Sequence, residues 1–180
     1  MINKKPLLVI TLGYPGSGKT YFSERLAREF DLFHINSDKI RFEIFSNPTF
    51  SKEEHNVVFG FIDWMTQELL KKGVSVVVDA NHNKYKNRAK FLKFANKLKS
   101  RHVLIHIKTP VNVAEKRLIK RRSIKNIEKK KYYRPLELSV LHTLKNEIEY
   151  PSIKENVLEI NGLEPYCKQV VVFKKWLNSK

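Results

Sequence analysis

The stretch Leu7–Thr20 reads LLVITLGYPGSGKT, a run of six apolar and β-branched residues that leads straight into a glycine-rich turn. A short apolar run bounded by a turn is typical of a buried strand. Beyond the turn, Phe22, Leu26 and Phe30 recur at the spacing of one helix face. The stretch therefore predicts a buried strand, a tight turn and an amphipathic helix in direct succession.

The turn has the complete pattern G-x-x-x-x-G-K-[ST], and it lies between a strand and a helix, the context in which this pattern binds phosphate. Its glycines let backbone N–H groups point at an anion, and the helix N-terminus adds a favourable dipole. Lys19 is expected to reach the β- and γ-phosphates, and the Thr20 hydroxyl to bind Mg²⁺. ATP and Mg²⁺ are thus the predicted cofactors, and the predicted nucleotide-binding residues are Gly13, Tyr14, Pro15, Gly16, Ser17, Gly18, Lys19 and Thr20.

Short apolar runs alternate with longer amphipathic stretches along the whole chain. The predicted strands are Leu7–Leu12, Phe33–Asn36, Val74–Val78, Val103–Ile107 and Val157–Ile160, and the predicted helices cover residues 20–30, 39–45, 51–72, 85–99, 110–122, 135–148 and 165–177. Ser37 or Asp38 is expected to cap the second helix. Strands separated by helices predict an α/β protein with a parallel sheet covered on both faces, the three-layer α/β/α P-loop NTPase fold.

Length and composition indicate how the chain is organised. A chain of 180 residues with 42% hydrophobic content is expected to form a single domain over residues 1–180. Residues 123–134 are almost all polar or basic, and with the helix before them they predict a basic helical lid over about 117–134. No apolar run is long enough for a membrane span, and there is one cysteine, so a cytoplasmic protein without a membrane partner is expected.

Two acidic residues, Asp38 and Asp79, follow predicted strands. In a parallel sheet the carboxyl ends of the strands meet at one edge, where ligands bind, so both carboxylates should lie near the glycine-rich turn. Asp79 is the candidate second contact to Mg²⁺. The alternative is that Asp79 caps the following helix or binds Asn81.

Asp38 and Arg41 form the pattern D-x-x-R, and residues three apart share a face of a helix. A carboxylate there is suited to accept a proton from an acceptor hydroxyl, and the arginine to hold a phosphate on the same acceptor. The alternative is a helix cap and a surface charge. The spacing alone leaves both interpretations open.

Arg117 and Arg121 are four residues apart and share a helix face. Arginines over a transferring phosphate stabilise the charge of the transition state, and a closing lid can deliver them. The alternative is a solvated basic helix end, where positive charge opposes the dipole favourably.

Three aromatic residues, Phe59, Phe61 and Trp64, fall within the predicted helix over 51–72. We expect them to belong to the hydrophobic core and not to form platforms on which bases stack.

The formal net charge of +17 comes entirely from residues 80–134, which hold 19 Lys and Arg against two acids. A basic block of this kind suggests a polyanionic partner such as nucleic acid. Solvated faces of lysine-rich helices are the alternative.

The motifs Gly13–Thr20, Ser37–Arg41 (SDKIR) and Val78–Asn81 (VDAN) together resemble the P-loop kinase family that includes the 5′-hydroxyl polynucleotide kinase domain and its small relatives. The resemblance implies that Asp38 is the general base and that Arg41 holds a 3′ phosphate of the acceptor. It also implies that Arg88 belongs to the substrate site. By the same resemblance Lys19, Arg117 and Arg121 act on the donor phosphates, and Asp79 lies near the metal.

The predicted function is therefore ATP-dependent transfer of a γ-phosphoryl group to a hydroxyl, in the first place the 5′-OH of a polynucleotide. A kinase of a nucleoside, sugar nucleotide or other small metabolite is the alternative within the same class. A nucleotide-binding ATPase without an acceptor, and a nucleic-acid-binding protein with a regulatory ATP site, are alternatives from other classes.

Overall fold

The computed structural model describes residues 5–122, 136–152 and 154–179, in which strands and helices alternate. The predicted lid segment 123–134 and Pro135 lie outside the described residues. The strands are β1 (Leu7–Leu12), β2 (Phe33–Asn36), β3 (Val76–Asp79), β4 (Arg101–Lys108) and β5 (Val157–Asn161). The helices are α1 (Lys19–Phe30), α2 (Ser37–Ile44), α3 (Lys52–Lys71), α4 (Tyr85–Lys97), α5 (Val111–Arg122), α6 (Leu138–Asn146) and α7 (Tyr166–Asn178).

The five strands form one parallel sheet in the order β2-β3-β1-β4-β5. In its register Ile10 stands opposite Val78, and Asn36 stands opposite Asp79. The chain leaves β1 for β2 on one side and crosses from β3 to β4 on the other, which opens a crevice beyond the carboxyl end of β1. The predicted parallel α/β fold is confirmed, and its carboxyl edge is where the predicted site should lie.

Two hydrophobic layers cover the faces of the sheet. Leu8, Ile10 and Leu12 of β1 pack with α3, α4, α5 and α6, whereas Leu7 and Val9 pack with α1 and α7. Because side chains alternate along a strand, the fully buried β1 supplies both layers at once. Among the described residues, no helix combines the length and the apolar character needed to cross a membrane.

The N-cap of α2 is Asn36, and the expectation of Ser37 or Asp38 in that position is wrong. Asn36 keeps the extended backbone of β2, and its Oδ1 accepts a hydrogen bond from the Lys39 N–H at 2.9 Å. Since Asn36 satisfies the helix end, Asp38 lies in the first turn and its carboxylate is available to the crevice.

Helix α3 shows which of the aromatic residues belong to the core. Its buried residues include Val58, Ile62, Thr66 and Leu70, which recur every four residues and define one face. Phe61 and Trp64 lie on the opposite face and are exposed, so the prediction that they belong to the core is wrong. Phe59 is partly buried and packs against the core.

Candidate active site

A cleft of about 790 Å³ opens at the carboxyl edge of the sheet. Its walls include the residues that the sequence motifs singled out: Pro15, Gly16, Gly18, Lys19, Thr20, Asp38, Arg41, Asp79, Arg117 and Arg121. Segments far apart in sequence are brought together because most of them follow a strand or begin a helix at the same edge, and α5 adds its two arginines.

The glycine-rich turn is held in shape by contacts that exclude a side chain. Gly16 has a φ of 80°, and a Cβ at this position would lie 2.7 Å from the Ala114 carbonyl oxygen. The Ser17 N–H donates to the Tyr14 carbonyl at 3.1 Å, and α1 begins directly after Gly18. The Tyr14 ring packs into the core, so this predicted nucleotide contact is confined to its backbone.

Lys19 lies at the floor of the cleft. Its ammonium donates to the carbonyl oxygens of Gly13 at 2.5 Å and Tyr14 at 3.3 Å. Burial lowers the pKa of Lys19, and the charges of Asp79 and Asp38 act against that shift. A cation in the same cleft as the glycine-rich turn is placed to attract the phosphates of a nucleotide.

Asp79 is buried and is fixed by side chains of β2. Its Oδ2 accepts a hydrogen bond from Asn36 Nδ2 at 2.6 Å and lies 3.2 Å from His34 Nε2. Burial acts to raise the pKa of Asp79, but the hydrogen bond with His34 and the charges of His34 and Lys19 hold it below its usual value. The N-cap of α4 is Lys84, so Asp79 does not act as that helix's cap.

Thr20 and Asp79 fit a Mg²⁺ ion that also binds phosphates. Both residues line the cleft, and the Thr20 hydroxyl is close enough to Asp79 to lower the pKa of that carboxyl, so the hydroxyl and carboxylate oxygens lie near each other. Mg²⁺ is usually held by one or two protein oxygens together with phosphates and water. Within residues 5–122, 136–152 and 154–179, no group of three or more His, Cys, Asp or Glu could hold a metal by itself.

Asp38 reaches solvent through the mouth of the cleft. Desolvation by the surrounding walls and the charge of Asp79 raise the pKa of Asp38, against the opposing effect of Lys19, Arg41 and Arg121. A carboxylate with a raised pKa, open to an acceptor, is suited to act as a base.

Arg41 is buried, and Glu54 of α3 determines its position. Arg41 Nη1 donates to Glu54 Oε2 at 3.1 Å, and the guanidinium lies 4.7 Å from the centre of the Phe50 ring. Glu54 also accepts hydrogen bonds from the Thr49 N–H at 2.7 Å and the Phe50 N–H at 2.8 Å. Burial raises the pKa of Glu54, but these bonds outweigh it and bring the pKa to about 2. Sequence reasoning missed this role, because a glutamate three residues after Ser51 also fits a capping box at the start of α3.

The two arginines of α5 differ in position. Arg117 donates to the carbonyl oxygens of Gly16 and Ser17, each at 3.2 Å, and of Gly162 at 2.8 Å. It therefore joins the glycine-rich turn to the segment after β5, and it also lines the cleft, where its expected contact with the donor phosphates stays a prediction. Arg121 lies in the cleft, where its charge acts on both Lys19 and Asp38.

Arg88 lies in the protein interior, which corrects its assignment to the substrate site. It is 1% exposed, and it forms a double contact with Glu155, through Nε at 2.6 Å and Nη2 at 3.1 Å. Its other hydrogen bonds go to the carbonyl oxygens of His82, Asn83 and Glu149. All five donors of the guanidinium are used, so none is left for a substrate.

Gly162, which sequence reasoning also missed, lies against the glycine-rich turn at Ser17. A Cβ there would lie 1.9 Å from Thr109 Oγ1 and 2.7 Å from the Ser17 carbonyl oxygen. These two oxygen atoms are themselves hydrogen-bonded at 2.7 Å, so neither can move away alone.

Gly162→Ala is therefore expected to push the glycine-rich turn out of position. We expect the free energy of unfolding to fall by about 1–3 kcal/mol, as in other overpacked sites, and the affinity for ATP to fall with it. Urea unfolding and ATP titration measure the two effects. Gly60→Ala is the matched control, since nothing lies within 4 Å of that position and alanine favours a helix. Equal behaviour of the two variants would contradict the prediction.

A family model described as an AAA domain matches residues 8–134, which is more than half of the chain. A curated relative, the L-seryl-tRNA(Sec) kinase of Methanococcus maripaludis, is 27% identical over 172 residues, which cover 86% of this chain and 66% of that protein. The chain thus spans just under two thirds of this relative's length.

Solved structures with the same fold include a sugar kinase from Janibacter sp. and a chain of the Pnkp1/Rnl/Hen1 RNA repair complex. The first aligns with a TM-score of 0.70 at 16% identity, over 96% of this chain and 95% of that one. The second aligns with a TM-score of 0.68 at 21% identity, over 82% of this chain and 45% of that one. At these identities the alignments show the kinase-like P-loop fold and leave the acceptor open.

Proposed function

The chain belongs to the AAA-domain family of kinase-like P-loop proteins, and from that premise we propose that it is an ATP-dependent phosphotransferase whose acceptor is a nucleic-acid hydroxyl, in the first place a 5′-OH. One observation carries the proposal. Asp38 lies in the same cleft as Lys19, and Arg41 follows it by one turn of α2. A base, a phosphate-binding cation and a second cation for the acceptor thus share one space.

In the proposed reaction Asp38 accepts the proton of the acceptor hydroxyl, and the acceptor oxygen forms a bond to the γ-phosphorus as the bond to the β–γ bridging oxygen breaks. Lys19 and Arg121 hold the negative charge that develops on the phosphate oxygens. Arg117 keeps the turn in place through its three carbonyl contacts. A Mg²⁺ ion held by Thr20 and Asp79 would neutralise charge on the phosphates when bound.

The acceptor side of the cleft supports a nucleotide over a simple sugar. Arg41 is buried and held by Glu54, an arrangement suited to a phosphate on the acceptor. Next to it the cleft wall is aromatic, with Phe50, Phe59 and the imidazole of His55. Planar rings beside an anion site favour a base joined to a phosphate. The related L-seryl-tRNA(Sec) kinase also acts on an acceptor that an RNA carries.

The direct test supplies ATP labelled on the γ-phosphate to a panel of acceptors. The panel contains a 5′-OH oligonucleotide, seryl-tRNA, a nucleoside, a sugar acid and water alone. The proposal expects label on the oligonucleotide. Label on seryl-tRNA alone would keep an acceptor that a nucleic acid carries, but the phosphorylated hydroxyl would be that of the seryl group and not a 5′-OH. Label on the sugar acid alone, or only in free phosphate, would overturn the proposal.

Glu54→Gln is expected to raise the KM for the acceptor about tenfold and to leave the KM for ATP unchanged, because Arg41 loses a charged partner that fixes its position. Steady-state kinetics with each substrate varied in turn separates the two constants. Glu53→Gln, an exposed neighbour in the same helix, is the matched control. A rise in the KM for ATP instead would place the effect on the donor side.

A further inference from the structure

A second, smaller groove lies between α3 and α4 and adjoins the cleft. It has a volume of about 190 Å³ and is lined by His55, Asn56, Phe59, Gly60, Asp63, Asn87, Lys90 and Phe91. His55 and Phe59 also line the cleft, and their rings are stacked with centroids 4.0 Å apart. This α3–α4 groove therefore begins at the wall where the acceptor side of the cleft ends.

Exposed apolar side chains of α3 lie beyond Gly60, on the helix face next to the groove's lining. Val57, Phe61 and Trp64 are 52%, 38% and 57% exposed, and the rings of Phe61 and Trp64 lie 5.6 Å apart. Trp64 follows Gly60 by four residues, so the two positions are neighbours on one side of the helix. Nothing lies within 4 Å of a Cβ on Gly60, although glycine costs a helix about 1 kcal/mol relative to alanine. The space over Gly60, one turn before Trp64, is thus open and is not used by the fold.

A row of lysines on α4 follows the same groove. Lys86, Lys90, Lys93 and Lys97 are exposed and are spaced by four, three and four residues, which places them on one helix face. Lys90 is part of the groove's lining and lies 3.5 Å from Asp63, the one carboxylate among the groove residues named above. That pair is neutral, so the other three lysines give the groove's border its positive charge.

We propose that the α3–α4 groove, the Phe61–Trp64 pair and the α4 lysine row bind an unpaired acceptor strand as it leaves the cleft. Aromatic rings that stack bases beside cations that follow the backbone are the usual means of holding single strands. The amides of Asn56 and Asn87 supply donors and acceptors for base edges. Residues 55–64 of α3 span about 14 Å, a length of about four stacked nucleotides. The inference rests on the proposed nucleic-acid acceptor.

A second copy of the chain is the other occupant to consider for this exposed face. In a two-fold pair the same patch meets itself, so the lysine row of one copy would lie close to that of the other. Like charges at an interface disfavour association, whereas they favour a polyanion. The charges and the continuity with the cleft therefore favour the strand.

The test measures transfer to 5′-OH single strands of two to eight nucleotides. For the native chain, kcat/KM is expected to rise up to about four nucleotides and then level off. Trp64→Ala, and Lys93→Ala separately, are expected to lower kcat/KM for the octamer about tenfold and to leave the dinucleotide unchanged. Asn96→Ala is the matched control, since Asn96 is exposed on α4 but lies about a quarter-turn from the lysine row.

A binding measurement that needs no transfer keeps the inference separate from the proposed function. The octamer should quench the fluorescence of exposed Trp64, the quenching should be lost in Trp64→Phe, and the affinity should fall steeply with salt. Transfer that does not depend on acceptor length, or the absence of quenching, would overturn the inference. So would a dimer that Trp64→Ala dissociates. Quenching without transfer to any strand would instead overturn the proposed acceptor and support the groove.

Discussion

Asp38→Asn is expected to slow phosphoryl transfer by about 10²–10⁴-fold while ATP still binds. The asparagine side chain has the same shape but cannot accept the proton of the acceptor hydroxyl. The phosphate contacts of the glycine-rich turn and Lys19 remain, because Asp38 contributes to the field around Lys19 without bonding to it. Single-turnover transfer and nucleotide titration measure the two quantities separately.

The pH profile gives this prediction a second readout. Burial and the charge of Asp79 raise the pKa of Asp38. Protonation of Asp38 should therefore lower kcat/KM at a higher pH than it would for an aspartate with the ordinary pKa of about 3.9. As pH falls through this raised pKa the base becomes neutral and transfer declines. The pKa of Asp79 is lowered and that of Glu54 is about 2, so both stay ionised over this range. The acidic limb should vanish in Asp38→Asn.

Asp31→Asn serves as the matched control for this experiment. Asp31 is exposed at the C-cap of α1 in a left-handed conformation with φ of 53°, which asparagine adopts readily. It should leave both the rate and the pH profile unchanged. If Asp38→Asn kept the native rate, or kept the acidic limb, Asp38 would not be the base.

The parts of the fold that depend on local sequence could be predicted. The strand, turn and helix over Leu7–Phe30 follow from an apolar run, glycines and helical spacing within a few residues of one another. The N-cap of α2 could not be predicted in this way, because the position of Asn36 depends on its hydrogen bond with Asp79, which is 43 residues away in sequence. Asn36 caps the helix and also holds a carboxylate at the carboxyl edge of the sheet, and this double role cannot be recognised from the residues adjacent to it in sequence.

In the candidate site, too, the positions that depend on local sequence could be predicted, and those that depend on long-range contacts could not. Asp38 and Lys19 were placed correctly in the cleft because each follows or begins a predicted element at the sheet edge. The roles of the arginines depend on long-range partners: Arg117 bonds across about 100 residues to the turn, and Arg88 bonds across 67 residues to Glu155. Arginine suits a phosphate and a buried carboxylate equally well, so its chemistry cannot separate the two from sequence.

Glu155→Ala is expected to lower the free energy of unfolding by about 3–5 kcal/mol, the largest stability effect predicted for this chain. Arg88 and Glu155 are each 1% exposed, so the change leaves a guanidinium charge in the interior without its counter-ion. Glu155 also accepts the Ser152 N–H at 3.0 Å, and that donor loses its partner too. Urea unfolding measures the loss. Glu159→Ala is the matched control, because its pair with Lys108 is exposed and should contribute no more than about 1 kcal/mol.

The double variant Arg88→Met/Glu155→Leu separates the cost of the unpaired charge from the cost of lost contacts. Removing both charges should recover a large part of the stability lost in Glu155→Ala, although three carbonyl oxygens still lose their donor. Because Arg88 lies in the interior and not in the cleft, the double variant should also keep its phosphoryl-transfer rate. A stable double variant that has lost transfer would return Arg88 to the substrate site. A single variant as stable as the native chain would show that the buried pair does not hold α4 to the segment before β5.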